Sequence, residues 1–153
     1  MQALVLISLL LMSSWLSYSA IRYGIGEYIS DNYYITKEKW LFSVVMVITA
    51  GLLFLPMVNR SEDYGCFAFF SCIGLILVGT EPHYKTHGKL AHNIGAWTAC
   101  ISSVIWSAIF HPYITGWVIT SYIIYHFTIG KKSMYVGELL VLAIIYFNLL
   151  TYY

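Results

Sequence analysis

The chain is dominated by apolar stretches as long as a lipid bilayer is thick. The run Leu4-Val5-Leu6-Ile7-Ser8-Leu9-Leu10-Leu11 has no polar face, and similar runs recur to the last residues of the 153. A hydrocarbon core about 30 Å thick takes about 17–25 residues of helix to cross, and backbone groups inside it must be bonded within the segment. Six stretches meet that length, at about 3–23, 40–58, 64–80, 90–110, 113–129 and 134–152. The alternation of polar and apolar residues that marks a membrane barrel strand is absent. The sequence therefore predicts an all-α, polytopic transmembrane bundle of about six spans in one domain, 1–153. Composition agrees, since 10% of residues are charged and 59% hydrophobic, against about 25% charged in soluble domains. The fifth span is short and follows His111-Pro112 with almost no loop. Proline disfavours helix at the residue before it, so the alternative is a tight hairpin between the fourth and fifth segments.

Ser17-Tyr18-Ser19-Ala20 offers the small residues of a signal-peptidase site, but no lysine or arginine precedes Arg22. The first span is expected to be retained. Loops rich in lysine and arginine stay cytoplasmic. Arg22, Lys37, Lys39, Lys85, Lys89, Lys131 and Lys132 fall in the first, third and fifth connections, and Arg60 alone falls on the other side. Both termini are thereby expected outside the cytoplasm. A formal charge of +1 provides no basic face for nucleic acid. Cys66, Cys72 and Cys100 lie in apolar runs and read as small buried hydrophobes.

Polar chemistry gathers in one interval, Glu-Pro-His-Tyr-Lys-Thr-His-Gly-Lys-Leu-Ala-His from Glu81 to His92. The predicted topology puts His83, His87, His92, His126, Glu81 and Glu138 at one membrane face. Imidazole and carboxylate suit zinc or another divalent metal, and His83 and His87 have the spacing of two ligands on one helical face. Pro82 and Gly88 bracket that pair, and Lys85 and Lys89 oppose a cation, so the bland reading is a wet turn between spans. Glu138 is harder to explain as surface polarity. A charge at mid-membrane costs about 2.5–3.5 kcal/mol on insertion scales and less near the interface, so it needs a partner or water. His126, His92, Lys131 and Lys132 are the candidate partners.

The first connection is the longest, with turn formers Gly24 and Gly26 and cap residues Ser30, Asp31 and Asn32. Thr36 is expected to cap the second span, and Tyr28, Tyr33 and Tyr34 to lie in the headgroup zone. Asp31 or Glu27 would add to a metal site, though a solvated loop acid is the simpler reading. Gly95, Ala99, Ser103 and Ser107 repeat every four residues along the fourth span. A stripe of that kind lets another helix approach closely, within the chain or in self-association or contact with another membrane protein. Trp15, Trp40 and Trp117 are expected to face lipid or the interface.

Gly24 to Tyr34, together with Val78-Gly79-Thr80-Glu81-Pro82-His83-Tyr84-Lys85, His92 and the small-residue helix, resembles a group of uncharacterised small multi-pass membrane proteins of bacteria and prophages. That resemblance implies a bacterial inner (cytoplasmic) membrane and no activity. Histidines and acids at one end of a bundle are similar, more distantly, to the alkaline ceramidase and adiponectin receptor superfamily of zinc-dependent lipid amidases. This chain departs from that pattern, with six expected spans where seven are usual and no serine and aspartate at matching positions, so no residue is carried over.

The resulting expectation is a membrane component or binding module of unassigned activity, with the lipid bilayer as its partner. One alternative is a hydrolase acting on a lipid at the cytoplasmic leaflet. His83, His87, His92 or His126 would hold zinc there, with Glu138 or Glu81 as ligand or base and bound water activated toward a pKa of about 7. The other is a proton-coupled transporter working through Glu138 and His126, although neither paired half-repeats nor mid-span breaks are visible.

Overall fold

The computed structural model describes residues 1–80 and 90–153, and all regular structure among them is helical. The helices are α1 (Gln2–Tyr23), α2 (Asn32–Ile35), α3 (Lys39–Ser61), α4 (Gly65–Thr80), α5 (Leu90–Phe110), α6 (Pro112–Thr128) and α7 (Ser133–Tyr152). Six of the seven are long, and each coincides with one predicted span to within three residues at either end. Four stretches, Gln2–Tyr23, Lys39–Thr80, Leu90–Phe110 and Ser133–Tyr152, are long and apolar enough to cross a membrane. The outer surface of the bundle carries large apolar side chains such as Ile21, Leu10, Trp117 and Phe127, all exposed. Contiguous exposed apolar surface of that extent is foreign to soluble monomers.

Helix ends sit where the backbone demands them. Gly24 at φ 88° stops α1, in the left-handed region that glycine enters without steric cost. The Lys39–Thr80 stretch reverses at Glu62, whose φ of 44° breaks the helix, and α3 and α4 then pack on each other as a hairpin. His111 leaves the helical region at φ −137° and Pro112 opens α6, where its missing N–H would have had no partner. The chain at 110–112 thus separates two distinct helices. Thr36 does not cap α3. Glu38 holds that position, and the Thr36 hydroxyl instead donates to the carbonyl of Asn32 at 2.6 Å, closing the α2 turn.

The core is built by α1, α3, α4, α5 and α7, with α4 held between α3 and α5. The small-residue stripe is spent here: Gly95, Ala99, Ser103 and Ser107 are all buried in α5, and Gly95 and Ala99 press on Gly74 of α4. Trp15, expected at the lipid surface, is 4% exposed and belongs to this core. The indole of an α1 residue turned inward fills space between helices, whereas Trp40 and Trp117 are exposed as predicted. Helix α6 stands apart, with Thr115 its only buried residue. It meets α5 through the turn at His111 and α7 where Tyr122 lies over Gly137.

Candidate binding cleft

The first connection folds back over one end of the bundle as an ordered cap. Gly26 is needed there, because a Cβ on it would come within 2.6 Å of the Asp31 side chain. Asp31 Oδ2 accepts from the backbone N–H groups of Glu27 at 2.7 Å and Tyr28 at 3.0 Å. Ser19 of α1 donates to Asn32 Oδ1 at 2.7 Å, and Ile29, Ser30, Asn32 and Thr36 are buried beneath the cap. Glu138 of α7 and Lys132 just before that helix hold its near edge. Glu138 Oε2 accepts from the N–H of Ile29 at 2.6 Å, and the Lys132 ammonium donates to the carbonyl of Ile25. The acid expected to pair with a histidine or lysine is therefore bonded to backbone, and Lys132 reaches the same loop rather than the carboxylate.

At the start of α3 a second contact ties the connection to α1. The Tyr23 hydroxyl donates to Glu38 Oε2 at 3.0 Å, with Tyr18 at 3.4 Å. The Tyr23 hydrogen bond, joined by the backbone N–H of Glu38, holds the Glu38 carboxyl below its ordinary range. A carboxyl depressed in the folded state contributes stability above its unfolded pKa and loses it as pH falls through the folded value. An NMR titration of Glu38 should therefore give a midpoint below the ordinary glutamate value, moving up in Tyr23→Phe. An unchanged midpoint in that variant would remove Tyr23 as the cause.

Alongside α6 a cleft of about 650 Å³ opens between α5, α6, α7 and the cap. That volume falls in the range of small-molecule sites. Its mouth carries Ser30, Asp31, His92, Asn93 and Glu138, with Tyr28 and Tyr34. Its walls are apolar and run from Ala96 to Val104 on α5, past Val118 and Ile119 on α6 and Val141 and Ile144 on α7. From His92 to Val104 the α5 wall is about 18 Å long at 1.5 Å per residue. Glu138 also borders a smaller pocket of about 50 Å³ among Leu75, Ala99, Cys100 and Ser103, which shares Ser30, Ala96 and Val141 with the cleft. It sits between the two spaces and shares the lining of the cleft with Asp31.

Of the residues singled out from sequence, His92 and Glu138 share this cleft. His126 is exposed and directs Nδ1 to the Ser133 hydroxyl at 3.0 Å. Glu81, His83 and His87 lie outside the described residues. Among the described residues no group of three or more histidine, cysteine, aspartate or glutamate side chains could hold a metal ion. The sequence reading set Asp31 aside as a solvated loop acid, whereas the fold brings it to the mouth beside Glu138.

A second polar cluster closes the opposite end. Arg60 is 8% exposed, with its guanidinium carbon 4.7 Å from the ring centres of both Phe110 and Tyr152. Nη1 donates to the carbonyl of Asn148 at 2.6 Å and Nη2 lies 3.2 Å from His111 Nε2. Nearby, Trp106 Nε1 donates to Ser61 Oγ at 2.6 Å. Sequence reading used Arg60 only as a loop charge. Its position in the last turn of a helix, with aromatic residues at the ends of two other helices, was the available signal.

Compared with known proteins, the chain matches no family model, no curated protein and no solved structure.

Proposed function

We propose that the chain is an integral membrane protein of six spans, with both termini on the non-cytoplasmic side of a bacterial inner membrane. It works there as a binding module, not an enzyme, and holds a lipid-like amphiphile in the cleft between α5, α6 and α7. The observation that carries this reading is the cleft itself, about 650 Å³ with polar groups at one end and apolar walls beyond them. Apolar walls favour burial of a hydrocarbon tail, and convergent polar groups fix a head. The mouth lies at the end of the bundle where Arg22, Lys37, Lys131 and Lys132 gather, which is the level of headgroups on the cytoplasmic side under the same topology.

Native mass spectrometry of the detergent-released protein tests the reading. The native chain should retain a bound amphiphile, and Ala96→Trp and Val118→Trp, which fill the cleft from opposite walls, should each lose most of it. Equal occupancy in the native protein and both variants would remove the cleft as the site.

A further inference from the structure

Among the described residues that line it, the mouth of the cleft carries two carboxylates and no lysine or arginine. Asp31 and Glu138 each spend one oxygen on backbone N–H groups. Neither is paired with a cation among the described residues, since the nearby Lys132 ammonium is committed to the carbonyl of Ile25. Two like charges at one partly desolvated site repel each other, and a cation between them would relieve both. Aromatic rings stand at the same level. Tyr28 and Tyr34 lie on either side of Asp31 in the cap, and Tyr122 covers Gly137 beside Glu138. Aromatic faces beside carboxylates attract alkylammonium groups, including quaternary ones that donate no hydrogen bond. The apolar walls begin immediately beyond, at Ala96 and Val141.

We propose that the occupant of the cleft is a cationic amphiphile, an amine or quaternary ammonium head held between Asp31 and Glu138 with its alkyl tail along α5 and α6. This rests on the cleft being the binding site, and it adds the sign of the head-group charge. An anionic head would face both carboxylates, with no lysine or arginine among the described residues that line the mouth. An uncharged head would leave their mutual repulsion in place.

The test uses the full chain in nanodiscs of zwitterionic lipid and three probes sharing one tail: dodecyltrimethylammonium, dodecyl sulfate and dodecyl maltoside. Binding is taken as the saturable component above empty nanodiscs. The ammonium probe should saturate at one per chain, and Glu138→Gln and Asp31→Asn should each weaken it at least tenfold. Both variants keep a side-chain oxygen to accept from the cap, and their melting curves report whether they fold. Saturable binding of the sulfate or the maltoside as tight as the ammonium, in the native chain, overturns the cationic assignment while leaving the cleft as a site. Absence of a saturable component for all three probes overturns the cleft reading as well.

Discussion

Gly74→Val is expected to destabilise the bundle strongly. A Cβ at position 74 would sit 2.5 Å from the backbone nitrogen of Ala99, 2.6 Å from the carbonyl oxygen of Gly95 and 2.8 Å from the Cα of Ala99. All three are main-chain atoms of α5, so no rotamer change relieves the clash and the two helices must separate. Separation undoes a backbone-to-backbone approach in which α5 also brings Gly95 against Gly74, Leu77 and Val78. Overpacking of a well-packed core costs about 1–3 kcal/mol and sometimes more, and a β-branched side chain against backbone belongs at the upper end. Thermal unfolding of the purified protein in detergent should show a large fall in midpoint for Gly74→Val and a smaller one for Gly74→Ala. Gly51→Ala is the internal control. It adds a Cβ with nothing within 4 Å and should gain up to about 1 kcal/mol from helix propensity and reduced chain entropy. Native-like stability of Gly74→Val would mean that α4 and α5 do not approach each other in this way.

What the sequence made legible follows from the strength of each constraint. Length and apolarity of a membrane helix leave few alternatives, which is why the predicted span 3–23 and α1, Gln2–Tyr23, nearly coincide. The four-residue spacing of Gly95, Ala99, Ser103 and Ser107 identified a close-packing face, but no periodicity says which helix meets it. Coordinates assign the face to α4. Glu138 was recognisable as costly inside a span, yet its partner is a backbone N–H donated from 109 positions away in sequence, and backbone donors carry no residue-type signature. Asp31 was invisible as a site residue for a related reason. Its place at the mouth depends on the whole cap folding back, fixed by the glycine at 26 and by Asn32 under Ser19. The cleft, finally, lies between α5, α6 and α7, and hydropathy records only that 113–129 is apolar.

The Arg60 cluster and the cleft occupy opposite ends of the same helices. At one end α6 stands away from α5, and at the other Arg60 reaches from α3 to Asn148 on α7 and His111 before α6. The base that seemed an exception to the charge asymmetry of the connections is therefore a buried tie between helices. A loop charge acting on topology and a buried charge acting on packing answer differently to substitution. Arg60→Glu separates them.

Placing a carboxylate at position 60 would set an anion against the electron-rich faces of Phe110 and Tyr152 and the carbonyl of Asn148, where the guanidinium now makes favourable contacts. An uncompensated buried charge costs about 3–5 kcal/mol. The expected result is a loss of folded protein in detergent and a collapse of the melting transition. Arg60→Met sharpens the inference because it keeps an unbranched stem in the same space. It gives up ring attraction worth about 2 kcal/mol when desolvated, and it also removes the cost of burying a cation, leaving no acid unpaired. Its stability should stay within about 1.5 kcal/mol of the native chain, as for volume-conserving core changes. If Arg60→Glu and Arg60→Met melt alike, the side chain at position 60 is solvated and the tie between α3 and α7 is not made through its charge. A wide gap between them, with the glutamate far the weaker, is what a cation held between two rings requires.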